Sequence, residues 1–248
     1  MFNFFSKSKE DRTTTTTSTT NPISTSGETA SSKILQSFRV IFLGPPAAGK
    51  GTQSVNVAEK YCICHLSTGD MLRAAISEGS EIGKRAKAVI ESGNLVSDEI
   101  MVDMIKDAIN RPQCKNGFLL DGFPRTTPQA EKLDVMLKQA GQQLDRVVEF
   151  TIPDSVLEKR ITGRLLHPAS GRTYHEEFNP PKSPMTDDVD ALKRRIEIYR
   201  KQTAPIALYY KNKNLLSVVD ATQSPASVWM SLQSILDRSL KMAASSSL

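Results

Sequence analysis

One short stretch constrains this chain more than any other: Gly44-Pro45-Pro46-Ala47-Ala48-Gly49-Lys50-Gly51-Thr52. The apolar run Val40–Leu43 precedes it, and an amphipathic stretch from Thr52 through Lys60 follows. That order predicts a strand, a glycine-containing loop and a helix N-terminus. Such a loop aims successive backbone N–H groups inward, and the helix dipole adds partial positive charge at the same point. Lys50 supplies a mobile full charge for the β- and γ-phosphates of a nucleoside triphosphate. The common pattern has Ser or Thr directly after the lysine. Here Gly51 intervenes and the hydroxyl arrives at Thr52. The loop implies triphosphate binding and leaves the reaction open.

The rest of the chain suits a parallel sheet around that loop. Further apolar runs lie at Phe118–Leu120, Val147–Ile152 and Leu215–Val219, with a fainter one at Cys62–Leu66. Longer amphipathic stretches separate them. The alternation predicts an α/β fold with helices on both faces of the sheet. Helix starts are expected where Ser67 precedes Asp70, Thr127 precedes Pro128 and Ser224 precedes Pro225, each offering a capping hydroxyl. A closing helix over Ser224–Lys241 is expected to pack through Val228, Trp229, Ile235 and Leu236. Tyr199, Tyr209 and Tyr210 are expected in core or hinge packing. Residues 1–33 differ: the run Thr13–Thr17 and many further Ser, Thr and Asn leave little to bury, so a solvated tail is expected. An organellar presequence is the alternative. Phe2, Phe4, Phe5, Lys7, Lys9 and Arg12 favour it, and Glu10, Asp11 and Glu28 oppose it.

Charge and cysteine content narrow the function class. Lys and Arg total 32 against 27 Asp and Glu, a net charge of +5. That excess permits an anionic ligand but is too small and unclustered to argue for nucleic acid. No apolar run is long enough to span a membrane. The three cysteines, Cys62, Cys64 and Cys114, do not pair completely and do not supply a zinc ligand set. They are expected to be small buried hydrophobes without a disulfide, which implies a reducing compartment. A cytoplasmic monomer is the corresponding expectation, with a mitochondrial or other organellar location as the alternative through residues 1–33.

Two further segments place an arginine just beyond the C-terminal end of a strand: Ser67-Thr68-Gly69-Asp70-Met71-Leu72-Arg73 and Asp121-Gly122-Phe123-Pro124-Arg125-Thr126. That edge is where open α/β sheets bind ligands. Singly, each arginine reads as a surface charge. Beside the phosphate loop, the pair reads as a clamp on a second phosphorylated molecule, because guanidinium binds phosphate in a bidentate fork. Asp121 reads as a carboxylate that orients magnesium through water, or as a strand-end group capping the next turn.

These motifs, in this order, resemble adenylate kinase in its long, lid-bearing form. Later stretches agree: Ile161-Thr162-Gly163-Arg164-Leu165, His167 through His175, Phe178 through Lys182, and Gln202 through Pro205. The resemblance runs from about Phe38 to the last helix. It implies a P-loop nucleoside monophosphate kinase fold over 34–248, with an AMP-binding lobe at 68–97 and a lid at 164–190. It implies the reaction ATP + AMP = 2 ADP, with Mg2+ carried on ATP and no direct metal ligand. By position, Ala47, Ala48, Gly49, Lys50, Gly51 and Thr52 would cradle the ATP phosphates. Arg160, Arg164, Thr173, Tyr174 and Gln223 would complete the ATP side. Thr68, Arg73, Asn94, Leu95, Val96, Gly122, Phe123, Pro124, Arg125, Gln129 and Arg195 would hold AMP. Lys50, Arg125, Arg160, Arg164 and Arg195 would carry the catalysis.

The chain departs from that pattern twice. Ala47 stands where the family's loop usually has glycine, which restricts the loop if the position needs positive φ. Met185-Thr186-Asp187-Asp188-Val189 runs directly into Asp190-Ala191-Leu192-Lys193-Arg194-Arg195. The long form has a further segment there, bearing one lid arginine, so this lid is shortened. Of the polar cluster that replaces zinc in many family lids, His167, Ser170 and Asp187 are matched, and the fourth member falls at the deletion. Reduced activity is expected. A nucleotide-binding protein with little catalysis is the main alternative. A UMP or CMP kinase and a tail-driven interaction protein are weaker ones.

Overall fold

The computed structural model describes residues 37–91, 96–162, 164–166, 173–175 and 189–245. At its centre lies β1 (Phe38–Leu43), and Val40, Ile41 and Phe42 are all buried. Burial on both faces explains why this strand reads as continuous apolar sequence instead of alternating. β1 pairs in parallel with β3 (Gly117–Asp121) on one side and β4 (Arg146–Thr151) on the other. β2 (Cys64–Ser67) and β7 (Leu216–Asp220) complete a five-stranded parallel sheet of order β2-β3-β1-β4-β7. This is the α/β architecture that the alternating runs predict.

The faces divide as the strand period requires. Ile41 and Leu43 join one core cluster with Met101, Ile105, Leu133, Leu137, Ile206 and Tyr210. These come from α4 (Asp98–Ile109), α5 (Thr127–Gln139) and α8 (Ala204–Asn212). Val40 and Phe42 point the other way, to Val57, Val228, Leu232 and Leu236 of α1 (Lys50–Tyr61) and α9 (Pro225–Ser245). Each such side chain contributes about 1.5–3 kcal/mol by leaving water. Phe42 and Phe150 meet edge-on at 4.9 Å across the β1–β4 pair. No helix among the described residues is long and apolar enough to cross a membrane.

Helix ends follow the sequence with one shift. Ser67 Oγ accepts from Asp70 N, and Ser224 Oγ accepts from Ser227 N. At α5 the cap is Thr126, whose Oγ1 accepts from Gln129 N at 3.2 Å, and Thr127 is the first helical residue. Pro128 thus occupies the second helical position, where its missing N–H costs no helical bond. Helix α7 spans Val189–Ile198. It passes into a π-helical turn, Tyr199–Thr203, before α8. The remaining elements are α2 (Thr68–Ser77), α3 (Glu81–Glu91), α6 (Asp154–Thr162) and an antiparallel pair, β5 (Arg164–Leu166) with β6 (Thr173–His175).

The cysteine expectation is overturned. Cys64 and Cys114 form a disulfide, with Cα atoms 5.0 Å apart. The β2–β3 register sets Cys64 beside Phe118, and a 3-10 turn at Pro112–Cys114 leads into β3, so the two thiols meet across a separation of 50 residues. Cys62 is free and exposed, not buried. The inference of a reducing compartment rested on unpaired cysteines and falls with them. Residues 1–33 lie outside the described residues. So do 167–172 and 176–188 of the lid stretch.

Candidate functional site

Parallel register sets the site. Ser67 lies beside Asp121 and Asp121 beside Phe42, so three strands release their chains at one edge. The first to leave is the phosphate loop. Gly44 turns at φ 144° against Phe150, where a Cβ would sit 2.9 Å from the Phe150 Cβ. Ala47 adopts φ 64° and Gly49 φ 91°. Ala47 therefore does occupy the left-handed region that its replacement of glycine put in question. Helix α1 begins at Lys50, two residues before the expected start, with no acidic residue in its first turn. Its positive end is unopposed at the loop. Lys50 Nζ donates to the carbonyls of Gly44 at 2.6 Å and Pro45 at 2.9 Å. Ala48 is buried, while Gly51 and Thr52 are exposed.

Asp121 ends β3 beside this loop. Burial pushes its carboxyl up, but the neighbouring His65, Lys50 and Arg125 together hold it below the ordinary carboxylate range. It is an anion enclosed by cations. His65 Nε2 is buried, lies 3.9 Å from Asp121 Oδ2 and makes no hydrogen bond. Gly122 follows at φ 82°, where a Cβ would come within 2.8 Å of Thr68 Oγ1. Thr68 is fully buried, and its hydroxyl donates to Gly122 O at 3.0 Å. Phe123 is buried, and the Phe123–Pro124 peptide is cis.

Arg125 is the best-held side chain at this edge. Its Nε donates to Gly122 O at 2.7 Å, and its own N–H donates to Gln129 Oε1 at 2.7 Å. Thr203 Oγ1 donates to Arg125 O at 2.9 Å. Burial holds the guanidinium below its ordinary pKa; Asp121 works against this, and Arg195 and Arg73 work with it. Three arginines therefore lie within one another's field, although guanidinium stays protonated in proteins. Arg73 is half exposed and pairs with Asp70. Arg195 is exposed on α7, as is its neighbour Arg194. A cluster of like charge at a sheet edge is stable only with anions near it. Asp121 is one, and bound phosphate would be others.

A second group of expected residues gathers beyond β7. Arg160 on α6 is partly buried, which lowers its pKa, and Asp220 opposes the shift. Gln223 Nε2 donates to Asp220 Oδ2 at 3.3 Å. Arg164 stands opposite His175, and Tyr174 opposite Leu165, in the β5–β6 pair; Thr173 opens β6. Val96 is buried next to the start of α4, whereas Asn94 and Leu95 lie outside the described residues. Gln129 is buried and holds protein at both ends of its amide, Asp98 Oδ1 at 2.6 Å and Arg125 N. The structure thus brings together Lys50, Asp121, Thr68, Gly122, Arg125, Arg73 and Arg195. It sets Arg160 and Gln223 around Asp220. Sequence reasoning missed His65, Asp98, Thr203 and Asp220. Ser97-Asp98 does carry the signature of a helix start, but nothing in it announces a bond to Gln129.

A sequence model of the family described as adenylate kinase matches residues 42–215, more than half of the chain. The chain belongs to the adenylate kinase family. It is accordingly a nucleotide-binding phosphotransferase, and its five-stranded parallel sheet with flanking helices is the fold of that family. The match takes in the phosphate loop, α2, the Arg125 loop and both helices around the π-helical turn. It ends at Leu215, so β7 and α9, to which the sequence motifs extended the resemblance, lie beyond it. Adenylate kinases act on ATP, AMP and ADP, nucleoside phosphates of the kind that a phosphate loop facing an arginine cluster would bind.

Proposed function

We propose that this adenylate kinase family member transfers the γ-phosphoryl group of ATP to AMP, reversibly, giving two ADP. The observation that carries the reading is Arg125. It is clamped through both of its peptide groups and feels the charges of Asp121, Arg195 and Arg73. A guanidinium so placed can contact a phosphoryl group passing between two nucleotides. The acceptor is already an ionised phosphate, so no strong general base is required. Alignment and charge neutralisation do the work.

The roles are those that the resemblance implies for matching positions. Backbone N–H groups from Ala47 to Thr52 cradle the ATP phosphates, and Lys50 exchanges two neutral carbonyl partners for phosphate oxygens, which bind cations more strongly. Arg160, Arg164, Thr173, Tyr174 and Gln223 complete the ATP side. By the resemblance, Thr68, Arg73, the Asn94–Val96 segment, the Gly122–Arg125 loop, Gln129 and Arg195 would hold AMP, Gln129 by way of the Arg125 backbone that its amide supports. Ionised Asp121 beside Lys50 suits a hard cation held through water. Mg2+ carried on ATP would supply charge neutralisation at the phosphates. The lid at 164–190 would exclude water, which otherwise takes the phosphoryl group. The enzyme would act as a monomer without nucleic acid or membrane.

Coupled detection of ADP, with and without AMP, tests the reaction. ADP formation that depends on AMP is expected, and UMP or CMP should replace AMP poorly. Equal ADP formation without AMP would mean an ATPase and would overturn the reading. One sequence feature favours a weaker catalyst: Asp187-Asp188-Val189 runs directly into Asp190-Ala191, where the long form that the motifs resemble has a further segment. Tight binding of a two-nucleotide analogue without turnover would support a binding protein instead.

A further inference from the structure

Six polar side chains are buried among the described residues: Gln53, Ser54, Thr68, Gln129, Thr203 and Ser239. Three of the six, Thr68, Gln129 and Thr203, hydrogen-bond to the short loop Gly122–Arg125. Two of these act on Arg125 itself, one on each side of its Cα. Gln129 Oε1 takes the N–H at 2.7 Å, and Thr203 Oγ1 donates to the C=O at 2.9 Å. The chain continues outward. Gln129 Nε2 donates to Asp98 Oδ1 at 2.6 Å, and Thr126 Oγ1 donates to Asp98 Oδ2 at 3.4 Å. A hydrogen-bonded line therefore runs Asp98–Gln129–Arg125–Thr203. One end is the first residue of α4 and the other the last residue of the π-helical turn that follows Arg195 on α7.

We propose that Asp98 and Thr203 are positioning residues that set the direction of the Arg125 side chain from opposite ends of this line. The inference rests on Arg125 contacting the transferring phosphoryl group. Pinning the peptide groups before and after one Cα fixes its φ and ψ, and so fixes where Cβ points. The bond from Nε to Gly122 O then fixes the far end. Asp98 acts through Gln129. An ionised carboxylate only accepts, so the amide must turn its NH2 toward Asp98 and its oxygen toward Arg125 N–H. Without that constraint the amide has two orientations, and only one supports Arg125. Thr203 brings in the other side: the helix bearing Arg195 is tied by one hydroxyl to the backbone of Arg125. A displacement of about 1 Å in an aligned group can cost on the order of a hundredfold in rate. Merely satisfying buried polar groups would predict no such sensitivity.

The test uses the full chain and steady-state ADP formation from ATP and AMP, with thermal midpoints measured alongside. Thr203→Val keeps shape and removes the donor. It is expected to lower kcat by about tenfold or more and to lower the midpoint somewhat, because the Arg125 carbonyl loses its donor. Thr203→Ser restores the donor and is expected to return kcat to within about threefold of the parent. Asp98→Asn can donate as well as accept, which frees the Gln129 amide to turn. It is expected to raise the KM for AMP more than it lowers kcat. Unchanged kcat in Thr203→Val overturns the proposal, and so does Thr203→Ser failing equally. If Thr203→Val does not fold, Asp98→Asn decides: parental kcat and KM overturn the proposal, and a raised KM for AMP supports it. A parent that makes no ADP sinks the reaction itself and this inference with it, whereas an active parent with indifferent variants sinks only the inference.

Discussion

Ala47 carries a methyl group at φ 64°, where an L-residue other than glycine is disfavoured by about 1–2 kcal/mol. Part of that returns on the unfolded side, because glycine has more chain freedom to lose, roughly 0.5–1 kcal/mol. The difference predicts that Ala47→Gly stabilises the protein by up to about 1 kcal/mol, a rise of a few degrees in thermal midpoint. A midpoint that falls would show that the loop prefers alanine. Asp121 gives a pH prediction. Its folded pKa lies below the ordinary value of 3.8, despite burial, because of His65, Lys50 and Arg125. A lowered carboxylate contributes stability that is present above the unfolded pKa and is lost as pH falls through the lower folded value. The urea midpoints of the parent and of Asp121→Asn should therefore differ most near neutral pH and converge below about pH 4. A gap constant from pH 7 to pH 3 would contradict this. The same substitution removes a negative charge that acts on both Lys50 and Arg125, so kcat should fall as well.

At the scale of elements, the sequence was most legible where a signal is local. The phosphate loop, the caps at Ser67 and Ser224 and the continuous apolar strands depend on neighbours along the chain. All five strands of the parallel sheet lie within two residues of the expected apolar runs. The disulfide was not legible, because Cys64 and Cys114 become neighbours only through β2–β3 pairing. The π-helical turn was missed because its cause is tertiary: it puts Thr203 against Arg125. Asp98 and Thr203 act through backbone and amide groups, which no residue motif marks. The disulfide also predicts something measurable. Closing a loop of 50 residues contributes roughly 4 kcal/mol in the chain-entropy description. Because β2 leads straight into Thr68 and α2, reduction should weaken AMP binding as well as lower the urea midpoint. Cys114→Ala should match the reduced parent in both. A reduced parent with an unshifted midpoint would show that the bond closes a loop that is already ordered.

For the molecule as a whole, the deciding quantity is how well water is kept from the phosphoryl group. The phosphate loop, Asp121 and the Arg125 loop leave the sheet from β1 and β3, strands buried along almost their whole length. The rest of the site depends on β5, β6 and α7, joined through stretches whose length the sequence fixes. If the lid is shortened as proposed, with Asp188-Val189 running straight into Asp190, it lacks the lid arginine that the long form has. Arginines that neutralise a transferring phosphoryl group are worth about 10³–10⁵ in rate in related phosphoryl transfers. On the roles proposed for them, Arg160, Arg164 and Arg195 would compensate in part, so a loss at the low end of that range or below it is expected. Inserting a long-form segment between Asp188 and Val189 should therefore raise kcat for ADP formation by at least about tenfold. It should also lower ATP hydrolysis in the absence of AMP, because a complete lid shuts out water. The two readouts separate the causes. A rise in kcat with unchanged hydrolysis would assign the defect to the missing charge alone. Equal rates for the parent and the full-lid version, measured at saturating ATP and AMP, would mean that the shortened lid already closes productively and that the deletion costs no activity.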